Sequence, residues 1–123
     1  MCSSDLSKEQ CRLLTRKAHE LKLEVLLEIH SEAELDYITD ETDVVGVNNR
    51  NLGSFHTDVE NSFRIASQLP TEKLWVSESG LSRPEVVLRL RQAGFRGFLM
   101  GEAFMRAEQP GEALAHFIQA LHP

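Results

Sequence analysis

The sequence lacks several features that would each assign it to a special class of protein. No apolar run approaches the roughly 18 residues that a membrane-spanning helix requires, and no charged and then apolar signal sequence opens the chain. The formal net charge of −6 argues against a surface that binds nucleic acid or an anionic membrane. Cys2 and Cys11, the only cysteines, lack metal-ligand spacing and a histidine cluster, which predicts buried or incidental thiols, no metal site and a reducing, cytoplasmic location.

What is present is an ordinary globular composition with alternating strand and helix patterns. The chain has 123 residues, 41% apolar and 26% charged, which predicts a single domain over residues 1–123 that is large enough to bury a core. Apolar spacing predicts a helix and then strand and helix four times over, an order typical of βαβ units and a parallel sheet. The predicted strands cover residues 23–30, 44–47, 74–77 and 98–100, and the predicted helices cover residues 7–21, 31–38, 59–69, 82–93 and 110–121.

Two of the predicted helices begin with a capping-box pattern, in which a serine is followed three positions later by a glutamate. Ser31 pairs with Glu34 in the first pattern. Ser82 pairs with Glu85 in the second, where Pro84 also favours a helix start. Each pattern predicts that the serine hydroxyl accepts a backbone hydrogen bond at the beginning of its helix.

The second predicted strand ends abruptly in polar residues. Val44, Val45 and Val47 are β-branched and show no alternation, as in a parallel strand that is buried on both faces. Asn48 and Arg50 follow on one face, because side chains alternate along a strand, and would converge at the carboxyl end of the sheet, where α/β proteins bind ligands. From composition alone, a binding edge and a polar turn that caps the next helix are equally good interpretations.

Glu28 is the candidate proton-transfer residue. It lies near the end of the first predicted strand between Leu27 and Ile29, and burial against such neighbours would poise its carboxyl for proton transfer. The competing interpretation, an edge-strand glutamate that faces water, is disfavoured by those apolar neighbours. His30 shares the face of Glu28 but lies farther out, which predicts a loop or helix-start role for it.

Glycines follow the third and fourth predicted strands. Gly80 comes after Glu78 and Ser79, and Gly101 leads into a short helical segment at residues 102–105. Glycine lets backbone N–H groups approach an anion and a helix start adds its dipole, so this pattern resembles the phosphate-binding loops of (β/α)₈ barrels. Turn geometry explains most single strand-end glycines, but glycines on successive strands favour a phosphate site.

Taken together, these segments resemble the C-terminal half of indole-3-glycerol phosphate synthase. The resemblance rests on LLEIH at residues 26–30, GVNNRNL at 46–52, SESG at 77–80 and FLMGEAFMR at 98–106, in this order and spacing. It covers nearly everything after Leu6. The run NNRNL at residues 48–52 is its most specific part, whereas SESG alone is shared more widely.

The resemblance implies a lyase of tryptophan biosynthesis. Members of the family close the ring of 1-(o-carboxyphenylamino)-1-deoxyribulose 5-phosphate with loss of CO₂ and water, and they use no metal or organic cofactor. It implies catalytic roles for Glu28, as the general base of the dehydration, and for Asn48. Arg50 would bind and orient the substrate together with Asn48, offering a planar fork to a carboxylate.

The remaining site residues follow from the same resemblance. Glu78 and Ser79 would border the substrate pocket, and Gly80, Gly101 and the backbone of Glu102 would bind the phosphate. Alternation along the strands allows the following residues to face inward: Glu28, Asn48, Arg50, Ser79 and Gly101.

The sequence departs from the family pattern in its early strands. A complete barrel has eight strands in about 250 residues, whereas this chain supplies a pattern that resembles strands five to eight. The resemblance also implies lysines on earlier strands, one of them the general acid, but the four lysines here fall on predicted helices or loops. The prediction is therefore a half (β/α)₈ barrel with an uncovered inner face, which self-associates, pairs with an N-terminal half barrel or is poorly soluble.

These observations leave more than one function open. The first interpretation is a fragment of an indole-3-glycerol phosphate synthase that acts on a phosphorylated small molecule. The second is a non-catalytic phosphate-binding half barrel, which the absence of the lysines favours. Another phosphosugar barrel enzyme, such as phosphoribosylanthranilate isomerase, is disfavoured by the NNRNL run at residues 48–52.

Overall fold

A computed structural model describes residues 6–50 and 58–122, so that Asn51 and Leu52 of the NNRNL run lie outside the described residues. Strands and helices alternate as the sequence predicts. The elements are α1 (Lys8–Glu20), β1 (Leu26–Ile29), a 3₁₀ helix (Glu32–Tyr37), β2 (Val44–Asn48), α2 (Glu60–Ala66), β3 (Leu74–Glu78), α3 (Pro84–Ala93), β4 (Gly97–Leu99), α4 (Glu102–Met105) and α5 (Pro110–Leu121). Within the described ranges, no helix has the length and apolar character that a membrane span requires.

The strands form one parallel sheet in the order β1-β2-β3-β4. The register pairs Glu28 with Gly46 and Asn48 with Glu78, and partners in neighbouring parallel strands point to the same face. This face, called the inner face below, consists of Leu26, Glu28, Val44, Gly46, Asn48, Leu74, Val76, Glu78, Gly97 and Leu99. The architecture is that of the predicted half barrel.

The opposite face of the sheet carries the hydrophobic core. Its strand residues are buried against the helices and include Leu27, Ile29, Val45, Val47 and Trp75. Phe95 completes this core with its ring edge against Trp75, at a centroid distance of 5.6 Å. The inner face is open by contrast, since Leu74 and Leu99 expose 56% and 52% of their surface. The described residues therefore pack on the outer face of the sheet, and none of the described helices covers Leu74 and Leu99 on the inner face as the rest of a closed barrel would.

Neither predicted capping box forms. Ser31 precedes a 3₁₀ helix and makes no side-chain cap, while Glu34 Oε1 accepts a hydrogen bond from the His30 N–H at 2.8 Å, one residue before the expected partner. At the second pattern α3 begins at Pro84, which leaves Ser82 one position too early to reach the first free N–H groups.

Candidate active site

A pair of glutamates lies at the carboxyl edge of the inner face. Glu28 on β1 and Glu78 on β3 are separated by β2, where Gly46 is the partner of Glu28 and Asn48 is the partner of Glu78. A Cβ atom at Gly46 would collide with Glu78 Oε2 and approach Leu26 Cδ2 to 2.9 Å. The missing side chain therefore makes the space in which the Glu78 carboxyl crosses β2 and hydrogen-bonds to Glu28.

Glu78 holds its proton at neutral pH. It is 8% exposed, and burial, the hydrogen bond to Glu28 and the negative charge of Glu28 together raise the pKa of Glu78 to about 8. The sequence analysis gave Glu78 only a place at the border of the pocket and missed the carboxyl pair. A glycine in the interior of a strand, between strands that each carry a glutamate, is the signal that could have revealed it.

Asn48 connects the carboxyl pair to the loop that follows β2. Its Nδ2 donates to Glu28 Oε1 at 3.2 Å, and its Oδ1 accepts from the Arg50 N–H at 2.9 Å. The side chain thus orients Glu28 and also closes a local turn. The segment does not provide the predicted cap residue of the next helix, because α2 has Val59 at its N-cap and no side-chain cap hydrogen bond.

A cavity of about 520 Å³ is lined by Glu78 of the carboxyl pair, whereas Glu28 and Asn48 are not among its lining residues. Its lining includes six of the residues that the sequence analysis assigned to substrate or phosphate: Arg50, Glu78, Ser79, Gly80, Gly101 and Glu102. The expectation that Ser79 faces inward as a strand residue is wrong, because β3 ends at Glu78 and the register places Glu78 on the inner face. Ser79 and Gly80 instead have positive φ angles of 71° and 72°, and this turn brings both to the cavity wall.

The arginines that line the cavity are paired with Glu102. Arg50 Nη2 lies 3.6 Å from Glu102 Oε2, and Arg106 contacts the other carboxylate oxygen of Glu102. The sequence analysis considered only the backbone of Glu102 and missed this bridging carboxylate. An anionic ligand that used Arg50 would have to displace it.

Asn49 holds the strand ends that form the site. The side chain is 3% exposed, its Nδ2 donates to Ser77 Oγ and to the Ser79 carbonyl, and its Oδ1 accepts from the backbone N–H and the hydroxyl of Ser62. All of these distances lie between 2.8 and 3.2 Å. Asn49 therefore joins β2, α2 and the turn after β3 behind the face that carries Glu28 and Asn48.

The four lysines lie away from the carboxyl edge. Lys8 and Lys17 are on α1, and Lys22 follows that helix. Lys73 precedes β3 at the opposite edge of the sheet, where its ammonium group donates to the carbonyls of Asp40 and Thr42. Among the described residues, the cavity therefore has arginines but no lysine in its wall.

The proton on Glu78 predicts how folding stability changes with pH. Between the ordinary value of 4.5 and about 8, the folded chain keeps this proton while the unfolded chain loses it, so this contribution to stability falls as pH rises through that window. Replacement of Glu78 by glutamine should remove this part of the pH dependence. Urea unfolding of both proteins at a series of pH values between about 4 and 9 measures the difference.

The matched control is Glu72→Gln, at an exposed position in the loop before the same strand. It should follow the pH dependence of the unaltered chain. If Glu78→Gln and Glu72→Gln changed the dependence equally, the assignment of the proton to Glu78 would be wrong.

Comparisons with known proteins identify the family of the chain. The family model for indole-3-glycerol phosphate synthase matches residues 1–117. Indole-3-glycerol phosphate synthase of Bacteroides thetaiotaomicron is 60% identical over 121 residues, covering 98% of this chain and 46% of that protein. The synthase of Magnetococcus marinus is 46% identical, covering 92% of this chain and 42% of that protein. The chain thus spans under half the length of these relatives.

Solved structures support the fold alone, because their sequence identities are low. A chain of the Amycolatopsis orientalis BexX/CysO complex superposes with a TM-score of 0.66 at 18% identity, over 94% of this chain and 48% of that one. A structure described as native KDPGal superposes with a TM-score of 0.60 at 17% identity, over 94% of this chain and 63% of that one. The family match extends over nearly the whole sequence, and the chain therefore belongs to the indole-3-glycerol phosphate synthase family.

Proposed function

We propose that this chain supplies the general base and the phosphate-binding half of an indole-3-glycerol phosphate synthase that works in the cytoplasm. The reaction is the closure of the ring of 1-(o-carboxyphenylamino)-1-deoxyribulose 5-phosphate with loss of CO₂ and water. Residues 1–123 form one partial barrel domain in this proposal, and the strands that complete it carry the general acid.

The observation that carries the proposal is the unequal carboxyl pair beside the cavity. Environments that push the pKa values of neighbouring carboxyl groups apart assign them different roles. Glu78 keeps the shared proton, so Glu28 is available as the carboxylate that removes a proton in the dehydration. Asn48 supports this role, because its amide holds one oxygen of Glu28.

Substrate binding falls to the cavity beside this pair. Arg50 would turn from Glu102 to the substrate carboxylate, since a guanidinium can bind a carboxylate through parallel hydrogen bonds. Ser79 would line the pocket near Glu78, while the backbone of Gly80, Gly101 and Glu102 would hold the phosphate. In this arrangement the chain binds and orients the substrate at one side and removes the proton at the other.

The open inner face supports a further part of the proposal, namely that another half barrel covers it. Leu74 and Leu99 are large apolar residues that water contacts over about half of their surface. Covering them is favourable by about 25 cal/mol for each Å² of apolar surface removed from water. We propose an N-terminal half barrel as the cover, and self-association of the chain when that half is missing.

The second candidate is a phosphate-binding half barrel without catalytic activity. The specific observation in its favour is the position of the four lysines, none of which lines the cavity. This function would apply if the chain bound a phosphate ester but the completed barrel did not catalyse ring closure.

An assay of indole-3-glycerol phosphate formation by fluorescence separates the candidates. It compares the chain alone, the chain mixed with the separately produced N-terminal portion of the Bacteroides thetaiotaomicron synthase, and that portion alone. We expect activity only in the mixture, together with co-sedimentation of its components. An inactive mixture that still binds glycerol 3-phosphate would support the second candidate, and activity of the chain alone would contradict the need for a lysine from another segment.

The phosphate site predicts that Gly101→Val weakens binding without unfolding the chain. Among the described residues, a Cβ atom at Gly101 has no neighbour within 4 Å, so the added side chain begins in open space, where a ligand would lose room. We expect at least about a tenfold weaker affinity for glycerol 3-phosphate, or about 1.4 kcal/mol, in an NMR titration of the chain.

Gly111→Val is the control, because a Cβ atom at Gly111 likewise has no neighbour within 4 Å in the described part of the chain, and Gly111 lies outside the cavity lining. Its affinity for glycerol 3-phosphate should equal that of the unaltered chain. Equal affinities for all three proteins would contradict a phosphate site at Gly101.

A further inference from the structure

His30 is a partly buried ionisable residue, with buried ring nitrogens, that the proposed mechanism leaves without a role. It follows β1 directly, and its side chain is 15% exposed. Among the described residues, neither ring nitrogen has a hydrogen-bond partner. A buried polar atom without a partner is costly, so its persistence calls for an explanation.

The ring of His30 lies between two carboxylates. Its Nε2 is 3.8 Å from Glu28 Oε2, and its Nδ1 is 3.6 Å from Glu34 Oε1. Both side chains are mostly buried, with 21% and 16% of their surface exposed. These separations are just beyond hydrogen-bond length, and they suit an electrostatic contact in a site with little water.

The surroundings fix His30 in this position. Glu34 Oε1 accepts from the backbone N–H of His30 at 2.8 Å, which places the carboxylate beside the ring. Asn61 Nδ2 donates to the carbonyl of His30 at 2.9 Å and to the carbonyl of Asn48 at 3.1 Å. The ends of β1 and β2 are therefore tied to α2, and the ring has a defined place next to Glu28.

The two oxygens of Glu28 are approached by different groups. Asn48 Nδ2 donates to Oε1, while His30 Nε2 faces Oε2. A carboxylate that is held at both oxygens cannot rotate away from its productive orientation, and a misplacement of about 1 Å can cost a large factor in rate. A neutral imidazole donates from only one of its nitrogens, so a ring that holds Glu28 and Glu34 at the same time is the doubly protonated form, in which both nitrogens donate.

We propose that His30 is a positioning residue for Glu28. Its imidazole holds Glu28 Oε2, as the amide of Asn48 holds Glu28 Oε1. Glu34 contacts the other nitrogen of the ring and keeps the ring in place. This inference deepens the proposed function and rests on it. His30 itself touches no reacting atom in this arrangement and acts only through Glu28.

The contact is tested first in the chain alone, without any substitution of His30. The ¹⁵N resonance of His30 Nε2 is recorded in the unaltered chain, in Glu28→Gln and in the control Glu24→Gln, at an exposed position of the same segment. We expect the resonance to move in Glu28→Gln and to stay in place in Glu24→Gln. A resonance that does not respond to Glu28→Gln overturns the proposal, whatever the activity of any assembly.

The functional consequence is tested in the mixture with the N-terminal portion of the Bacteroides synthase. His30→Phe keeps the ring and removes both nitrogens, and it should lower kcat by about tenfold while KM stays nearly constant. His30→Asn, which retains a donor, should recover part of the loss. Glu34→Gln should lower kcat in the same direction, whereas Glu32→Gln, at an exposed position of the same 3₁₀ helix, should not.

An unchanged kcat in His30→Phe, or equal losses in Glu34→Gln and Glu32→Gln, overturns the proposal. If the unaltered mixture shows no activity, the proposed function fails instead. The resonance experiment then decides by itself whether His30 holds Glu28.

Discussion

Glu28→Gln should lower kcat of the completed barrel by at least about a hundredfold, because general base catalysis contributes about 10² to 10⁴ in rate. Glutamine has nearly the same shape as glutamate, so the hydrogen bond from Asn48 to the side-chain oxygen can persist. The proposed substrate-binding residues Arg50 and Gly101 line the cavity, and Glu28→Gln leaves both in place. We therefore expect a nearly constant KM, measured with kcat in the fluorescence assay.

The control for this prediction is Glu24→Gln, an exposed glutamate that lies four positions earlier in the same segment. Its kcat and KM should match those of the unaltered protein. A parallel change of kcat and KM in Glu28→Gln would point to a role in binding rather than in proton transfer. A kcat that is insensitive to the substitution would contradict the role of general base.

The alternation of elements was predictable because each strand carries its own local pattern. Val44, Val45 and Val47 identify β2 without any knowledge of its neighbours, and the structure places β2 inside the sheet. Helix ends were less predictable. The third predicted helix extends to residue 69, whereas α2 ends at Ala66, because Leu69 is buried in the turn that follows rather than in the helix. Apolar spacing in the sequence indicates which residues are buried, and here the buried residues extend beyond Ala66, the last residue of the helix.

The site was predictable only as far as each residue acts on its own strand. Glu28 and Asn48 share the inner face, and their hydrogen bond agrees with the expected alternation. The pairing of Glu28 with Glu78 depends instead on the register of three strands and on the space above Gly46. The contact between Arg50 and Glu102 likewise joins residues that are far apart in the sequence. Such contacts are set by the packing of the sheet, which local spacing does not record.

The second large expected effect is a loss of folding stability when Asn49 is replaced. Asn49 is buried, and its side-chain amide makes four hydrogen bonds inside the protein. Asn49→Ala would leave the Ser79 carbonyl and the Ser62 backbone N–H without their partner side chain. A buried polar group that loses its partner costs about 1–3 kcal/mol, so we expect a loss of about 3 kcal/mol in the free energy of unfolding, measured by urea unfolding of the chain.

Asn48→Ala is the matched control, since Asn48 is the neighbouring asparagine, the last residue of β2, and its side chain bonds to Glu28 on the inner face. Its side chain is only half-buried and bonds to Glu28 and to the Arg50 N–H, which water can reach, so we expect a loss of about 1 kcal/mol or less. The two variants separate two roles at the end of β2: Asn49 stabilises the strand ends, whereas Asn48 holds Glu28, the proposed general base. Equal losses of stability would mean that the buried hydrogen bonds of Asn49 contribute no more than those at the edge of the cavity, and the division of roles between the two asparagines would then be wrong.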